Sequence, residues 1–153
     1  MKLIIRLLRV PLLVLVSIPV LLFLSWLVLI PAANNLRLSH QERQLVKLPL
    51  PEDSRFIEKQ SVCGKLQGNG NGMNYLVTMV IESGLSLEEL QEYYYGYEVM
   101  KQDGPELVSE YLEHDSIYYD KLKNIRDYSA CYVIYRFTSA DLGSLWEWDL
   151  RGH

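Results

Sequence analysis

Residues 10–30 form an unbroken apolar run in which Ser17 and Ser25 are the only polar members. No other feature constrains so sharply what the chain can fold into. At about 1.5 Å per residue a helix over this run covers roughly 30 Å, the thickness of a bilayer's hydrocarbon core. Pro11 and Pro19 are compatible with it, because local adjustment inside a membrane helix satisfies the carbonyl a proline leaves unpaired. Lys2, Arg6 and Arg9 precede the run, and flanking cations favour the cytoplasm. Arg37, Arg43 and Lys47 follow it, so the charge bias is uneven; their position beyond a first hydrophobic span still favours the N-terminus inside and the remainder outside. A cleavable signal peptide is the competing reading, but its apolar core is usually about 7–15 residues long and ends in a small-x-small site. Here the run is longer, and the candidate sites around Pro31-Ala32-Ala33 are weak. The expectation is an N-terminal anchor over residues 1–33, single-pass in the cytoplasmic membrane, with residues 10–30 as its bilayer contact. Both readings export the rest of the chain.

What is exported is small and acidic. After the head takes three of the 15 Lys and Arg, the remaining 12 face 19 Asp and Glu, a net charge of −7. Ten of those acids fall within residues 82–115, against Lys101 as the lone cation. Such a surface repels phosphate backbones, so nucleic acid is not an expected partner. Residues 34–53, polar with scattered leucines, with a helix expected over residues 36–48 and closed by Pro49-Leu50-Pro51, read as a stalk; residues 54–153 read as one folded domain.

Within that domain, residues 56–66 and 73–83 read as strands joined by the 68–72 loop, GNGNG, whose Gly and Asn residues reach positive φ cheaply. Met73, Tyr75, Val77, Met79 and Ile81 alternate, the period-2 sign of a buried face. A turn centred on Gly70 sets Cys63 opposite Val77. Ser86 with Glu89 forms a capping box, Leu85 and Leu90 a hydrophobic staple, and Leu87, Leu90, Tyr94 and Tyr97 an apolar stripe, so a helix is expected to run on to Gly104-Pro105. Residues 106–112, 116–122 and 130–138 suggest further strands, and alternating Trp146, Trp148 and Leu150 a last one. The fold expected is α+β: an antiparallel sheet of about five strands with one main helix on a face, preceded by a single transmembrane helix.

Chemistry is sparse. The 68–72 loop lacks the Lys-Ser/Thr of a phosphate loop and leads into a strand, so it reads as a hairpin whose Asn69 and Asn71 could touch a ligand. His40, His114 and His153 match no metal spacing, and neither a metal nor another cofactor is expected. His114-Asp115-Ser116 reads as a turn, because neighbours in an extended chain point to opposite faces. Cys63 and Cys131 admit two states, a disulfide favoured by an exported compartment or two buried thiols. Tyr93, Tyr94, Tyr95 and Tyr97 crowd one helix and cover every side of it, so some rings must be exposed; with Trp146 and Trp148 they are the surface expected for a protein or cell-envelope partner. The expected function is therefore a membrane-anchored extracytoplasmic binding module, an accessory envelope protein. A small envelope hydrolase using carboxylates from 82–115 is the alternative.

Residues 58–66 (EKQSVCGKL), 68–73 (GNGNGM), 85–90 (LSLEEL) with Tyr93-Tyr94, and the close Asp149-Leu150-Arg151-Gly152-His153 together resemble a group of small bacterial membrane-anchored proteins. The likeness spans roughly residues 50–153. It implies a bacterial origin and an exported domain, and brings neither an activity nor functional residues.

Overall fold

The computed structural model describes residues 2–67, 72–107, 117–141 and 143–152. Its first element is one continuous helix, α1 (Lys2–Val46). Leu, Val and Ala carry it through the apolar run, and Pro31 passes within it although proline cannot donate to the carbonyl one turn back. The segment read as a stalk is helical to Val46, near the expected end at Leu48, and continuous with the apolar run. Residues 34–46 are the last turns of the same helix and lie against the sheet, with Asn34 and Leu45 fully buried. From Val14 to Leu29 the apolar side chains are instead exposed, apart from half-buried Trp26 and Leu27, on a helix long and apolar enough to cross a membrane.

The chain is α+β. Strands β1 (Arg55–Gly64), β2 (Asn74–Glu82), β3 (Glu98–Lys101) and β6 (Cys131–Ser139) form an antiparallel sheet in the order β1-β2-β6-β3. Two short strands, β4 (Glu106–Leu107) and β5 (Ile117–Tyr118), pair separately. So the expected single sheet of five is, among the described residues, four strands plus a two-stranded ribbon.

β2 is buried on both faces, which explains why Leu76 and Val80 stand among the polar residues Asn74, Thr78 and Glu82 at its even positions. Val77, Met79 and Ile81 pack with Tyr132 and Ile134 of β6 beneath Leu45 of α1 and Leu90 of α2 (Leu87–Tyr93). Leu76 and Val80 pack on the other face with Val133, Tyr119 and Leu122. A strand sandwiched between two layers loses its alternation.

The capping box forms as the sequence requires: the Ser86 hydroxyl accepts from Glu89 N–H at 3.3 Å, and Ser86 N–H donates to Glu89 at 2.8 Å. The helix stops ten residues sooner than expected. Gly96 adopts φ +86°, a left-handed turn that glycine enters without a Cβ clash, and the following residues leave as β3 to pair with β6. At the C-terminus the expected strand is absent: Leu145–Trp148 and Leu150–Gly152 are 3₁₀ turns. Apolar residues two apart mimic strand alternation, but here the tail closes its own short turns, Asp149 N–H to Trp146 C=O and Gly152 N–H to Asp149 C=O.

Candidate functional site

The β1–β2 register pairs Cys63 with Tyr75 rather than Val77, which faces Ser61. The hairpin centre therefore lies one residue earlier than expected. This register also decides the cysteines. Cys131 pairs with Glu82, seven rungs from the Tyr75 rung, and packs into the face opposite the one Cys63 and Tyr75 share with α1. At about 3.4 Å per rung the two thiols lie roughly 24 Å apart along the sheet. A bridge needs its Cα atoms within about 7 Å, so the disulfide expectation gives way to two free thiols.

Around Tyr75 the structure builds a polar cluster between α1 and the C-terminal turns. The Tyr75 hydroxyl donates to Asn34 Oδ1. Asn34 Nδ2 donates to Asp149 Oδ2 at 2.9 Å and to Trp146 C=O at 3.0 Å. Asp149, wholly buried, receives Arg151 through Nε at 3.0 Å, Nη2 at 2.7 Å and the backbone N–H at 3.1 Å. The same guanidinium reaches α1, donating to Asn35 Oδ1 at 2.8 Å and Pro31 C=O at 3.2 Å. Arg37 lies over the Tyr75 ring at 4.9 Å. Backbone bonds complete the clasp: Lys65 N–H to Arg151 C=O and Gly72 N–H to Gly152 C=O. Gly152 is required here, since a Cβ would stand 3.1 Å from the backbone of Gly72. Cys63-Gly64, Gly72-Met73 and residues 149–152 thus meet at one end of the sheet.

Electrostatically this cluster is a lock. Burial pushes the Asp149 carboxyl up, but the hydrogen bonds from Arg151 and Asn34 outweigh it and hold the group below its ordinary value. Burial raises the Cys63 thiol, with Arg151 opposing; a raised thiol stays protonated, the reverse of an activated nucleophile. About two turns beyond Asn35 on α1, burial pushes the Glu42 carboxyl up, yet hydrogen bonds from Lys59 and Ser61 prevail and lower it.

The tyrosines divide. Tyr94 is buried, stacked edge-on against Tyr93 at 4.9 Å with its hydroxyl donating to Pro49 C=O, and burial pushes its pKa up to about 12. Tyr97 is half-buried beneath Arg136. Tyr93 is 45 % exposed and Tyr95 93 %. Trp146 and Trp148 are exposed on the C-terminal turns, and Trp148 meets Trp26 of α1 edge-to-face at 6.3 Å. The two aromatic groups do not share a surface: the tyrosines lie by Leu45 and Pro49 at the end of α1, and Trp26 stands 19 residues earlier, roughly 28 Å along the axis. Asn69 and Asn71 lie outside the described residues, as does the His114-Asp115-Ser116 triplet.

Among the described residues no group of three or more His, Cys, Asp or Glu could hold a metal. Among the described residues, the carboxyls that depart from their ordinary values, Glu42, Glu89, Asp127 and Asp149, all move down; Glu110, Glu113 and Asp115 of the 82–115 stretch lie outside the described residues. A hydrolytic general acid needs the opposite shift. Sequence reasoning missed Asn34, Asn35 and Arg151; an Asn pair following an apolar run, with an Asp-x-Arg far downstream, gives no periodic signal. No family model matches this chain, nor does any curated protein or solved structure.

Proposed function

We propose that this is a single-pass, membrane-anchored binding module of the bacterial envelope, its N-terminus cytoplasmic and its domain outside the cytoplasmic membrane. The observation that carries the reading is the unbroken α1, whose exposed apolar stretch continues without a hinge into turns packed on the sheet. An anchor fused to its domain in this way fixes the height and orientation at which a surface is displayed. At the end of α1 away from the span, by Leu45 and Pro49, the exposed rings of Tyr93 and Tyr95 combine large contact area with little side-chain entropy to lose. Their partner is a protein or envelope component rather than nucleic acid, given the acidic exterior.

Two measurements test it. A membrane-impermeant maleimide should label Tyr95→Cys on intact cells; labelling only after lysis contradicts the orientation. A photocrosslinking amino acid at position 95 should capture a discrete adduct in living cells that the same group at Lys123 does not. Equal capture at both positions, or none at 95, removes the tyrosine face as the binding surface.

A further inference from the structure

The C-terminal turns expose Leu145, Trp146, Trp148 and Leu150, a costly surface to leave in water. Their position along α1 indicates what covers them. The last cation before the apolar run is Arg9 and the first after it is Arg37. These are 28 residues apart, about 42 Å of helix, which matches the roughly 40–45 Å of a bilayer including its headgroups. If the hydrocarbon ends where the apolar run does, at Ile30, then Trp26 sits about 6 Å inside that boundary. Trp148, 57 % exposed, packs its ring on Trp26, which sets that ring at the same depth. Between them runs a cleft of about 190 Å³ walled by Trp26, Leu27, Pro31, Trp148, Leu150 and Arg151. The polar groups fall where the headgroups lie: Arg151 is bonded to Pro31 and Asn35, about 1.4 and 2.5 turns nearer the domain than Trp26. Glu147, the one acid in the Leu145–Trp148 turn, accepts from Gly143 N–H at 2.7 Å.

We propose that this C-terminal turn inserts into the outer leaflet, with Leu145, Trp146, Trp148 and Leu150 in contact with phospholipid acyl chains. The chain then holds the bilayer at two points, the span and a wedge clasped to it by Asn34, Asp149 and Arg151. Tryptophan suits the task, since its ring is apolar and its N–H serves the polar interface. The inference rests on the single-pass reading of α1.

The test uses the full chain in phosphatidylcholine nanodiscs, with one tryptophan kept at a time. Trp148 alone (W26F with W146F) and Trp26 alone (W146F with W148F) are each exposed to phosphatidylcholine brominated near the carbonyl end of its acyl chains, and separately to aqueous iodide. Both residues should lose most of their emission to the brominated lipid and little to iodide. If Trp26 is quenched by lipid but Trp148 by iodide, the wedge is overturned and the span stands. If neither responds to brominated lipid, the span itself fails. A second readout keeps all three tryptophans: Leu145→Cys in a Cys63→Ser chain, labelled with an environment-sensitive dye. Its emission should shift to the blue as a label at Leu22 does; emission like that of a label at Tyr95 overturns the insertion.

Discussion

Replacing Asp149 by Ala tests whether the clasp holds the C-terminal turns to α1. Asp149 accepts four hydrogen bonds, one from Asn34 Nδ2 and three from Arg151, at 2.7 to 3.1 Å. Breaking a buried ion pair from one side costs about 3–5 kcal/mol when the orphaned charge stays buried. Arg151 is not so confined: its side chain is 39 % exposed, and water recovers part of its loss. Asn34 keeps Trp146 C=O and the Tyr75 hydroxyl as partners. The balance is a loss of about 2–3 kcal/mol, near the range for hydrogen bonds to a charged group. For a domain of this size that lowers Tm by roughly 8–15 °C. Circular dichroism melting in detergent micelles reads it, with Arg55→Ala as the comparison. That variant breaks the exposed Arg55–Glu82 pair, a contact worth at most about 1 kcal/mol. If D149A melts within about 3 °C of the native chain, or no lower than R55A, the clasp does not bear on stability and this reasoning is wrong.

Other consequences follow from the same geometry. Gly152→Ala should destabilise by about 1–3 kcal/mol, because its Cβ would press on the Gly72 and Met73 backbone, whereas Gly104→Ala, with open space around it, should melt like the native chain. Because the folded carboxyl of Asp149 lies below its ordinary value near 3.8, its contribution is complete above that value and disappears as pH falls through the lower folded pKa. Acid titration of stability should therefore drop below about pH 4, and more shallowly in Asp149→Asn. Leu90→Ala, emptying a fully buried site under α2, should cost about 2–5 kcal/mol by chemical denaturation. A loss under about 1 kcal/mol there would mean α2 is not packed as described.

What the sequence disclosed, and what it hid, follows from how local each determinant is. The Ser86–Glu89 cap, the β1–β2 hairpin and β6 rest on neighbours within a few residues, and each appears close to its expected place. The end of α2 was misread because Gly104-Pro105 is the louder stop signal, while Gly96 acts through one positive φ and a waiting β6 edge. Trp146, Trp148 and Leu150 alternate for a different reason than pairing: they line a turn against α1. The clasp was invisible because its members, Asn34, Tyr75 and Asp149, lie 41 and 74 positions apart along the chain and are united only by tertiary packing. The helix expected over residues 36–48 is present to Val46, but as the end of α1; residues 34–46 are polar where that helix faces solvent, while Asn34 and Leu45 are buried on its other side.

The central claim is that the apolar run and the domain are one rigid body through α1. Spin labels at Leu21, on the exposed apolar stretch, and at Tyr95, on the distal face, measure it directly by pulsed dipolar spectroscopy in nanodiscs, with Cys63 and Cys131 replaced. From Leu21 to Leu45 the helix axis alone spans about 36 Å, so a single narrow peak near roughly 35–45 Å is expected. A broad or multi-peaked distribution would mean a hinge between residues 30 and 46, and would contradict the account.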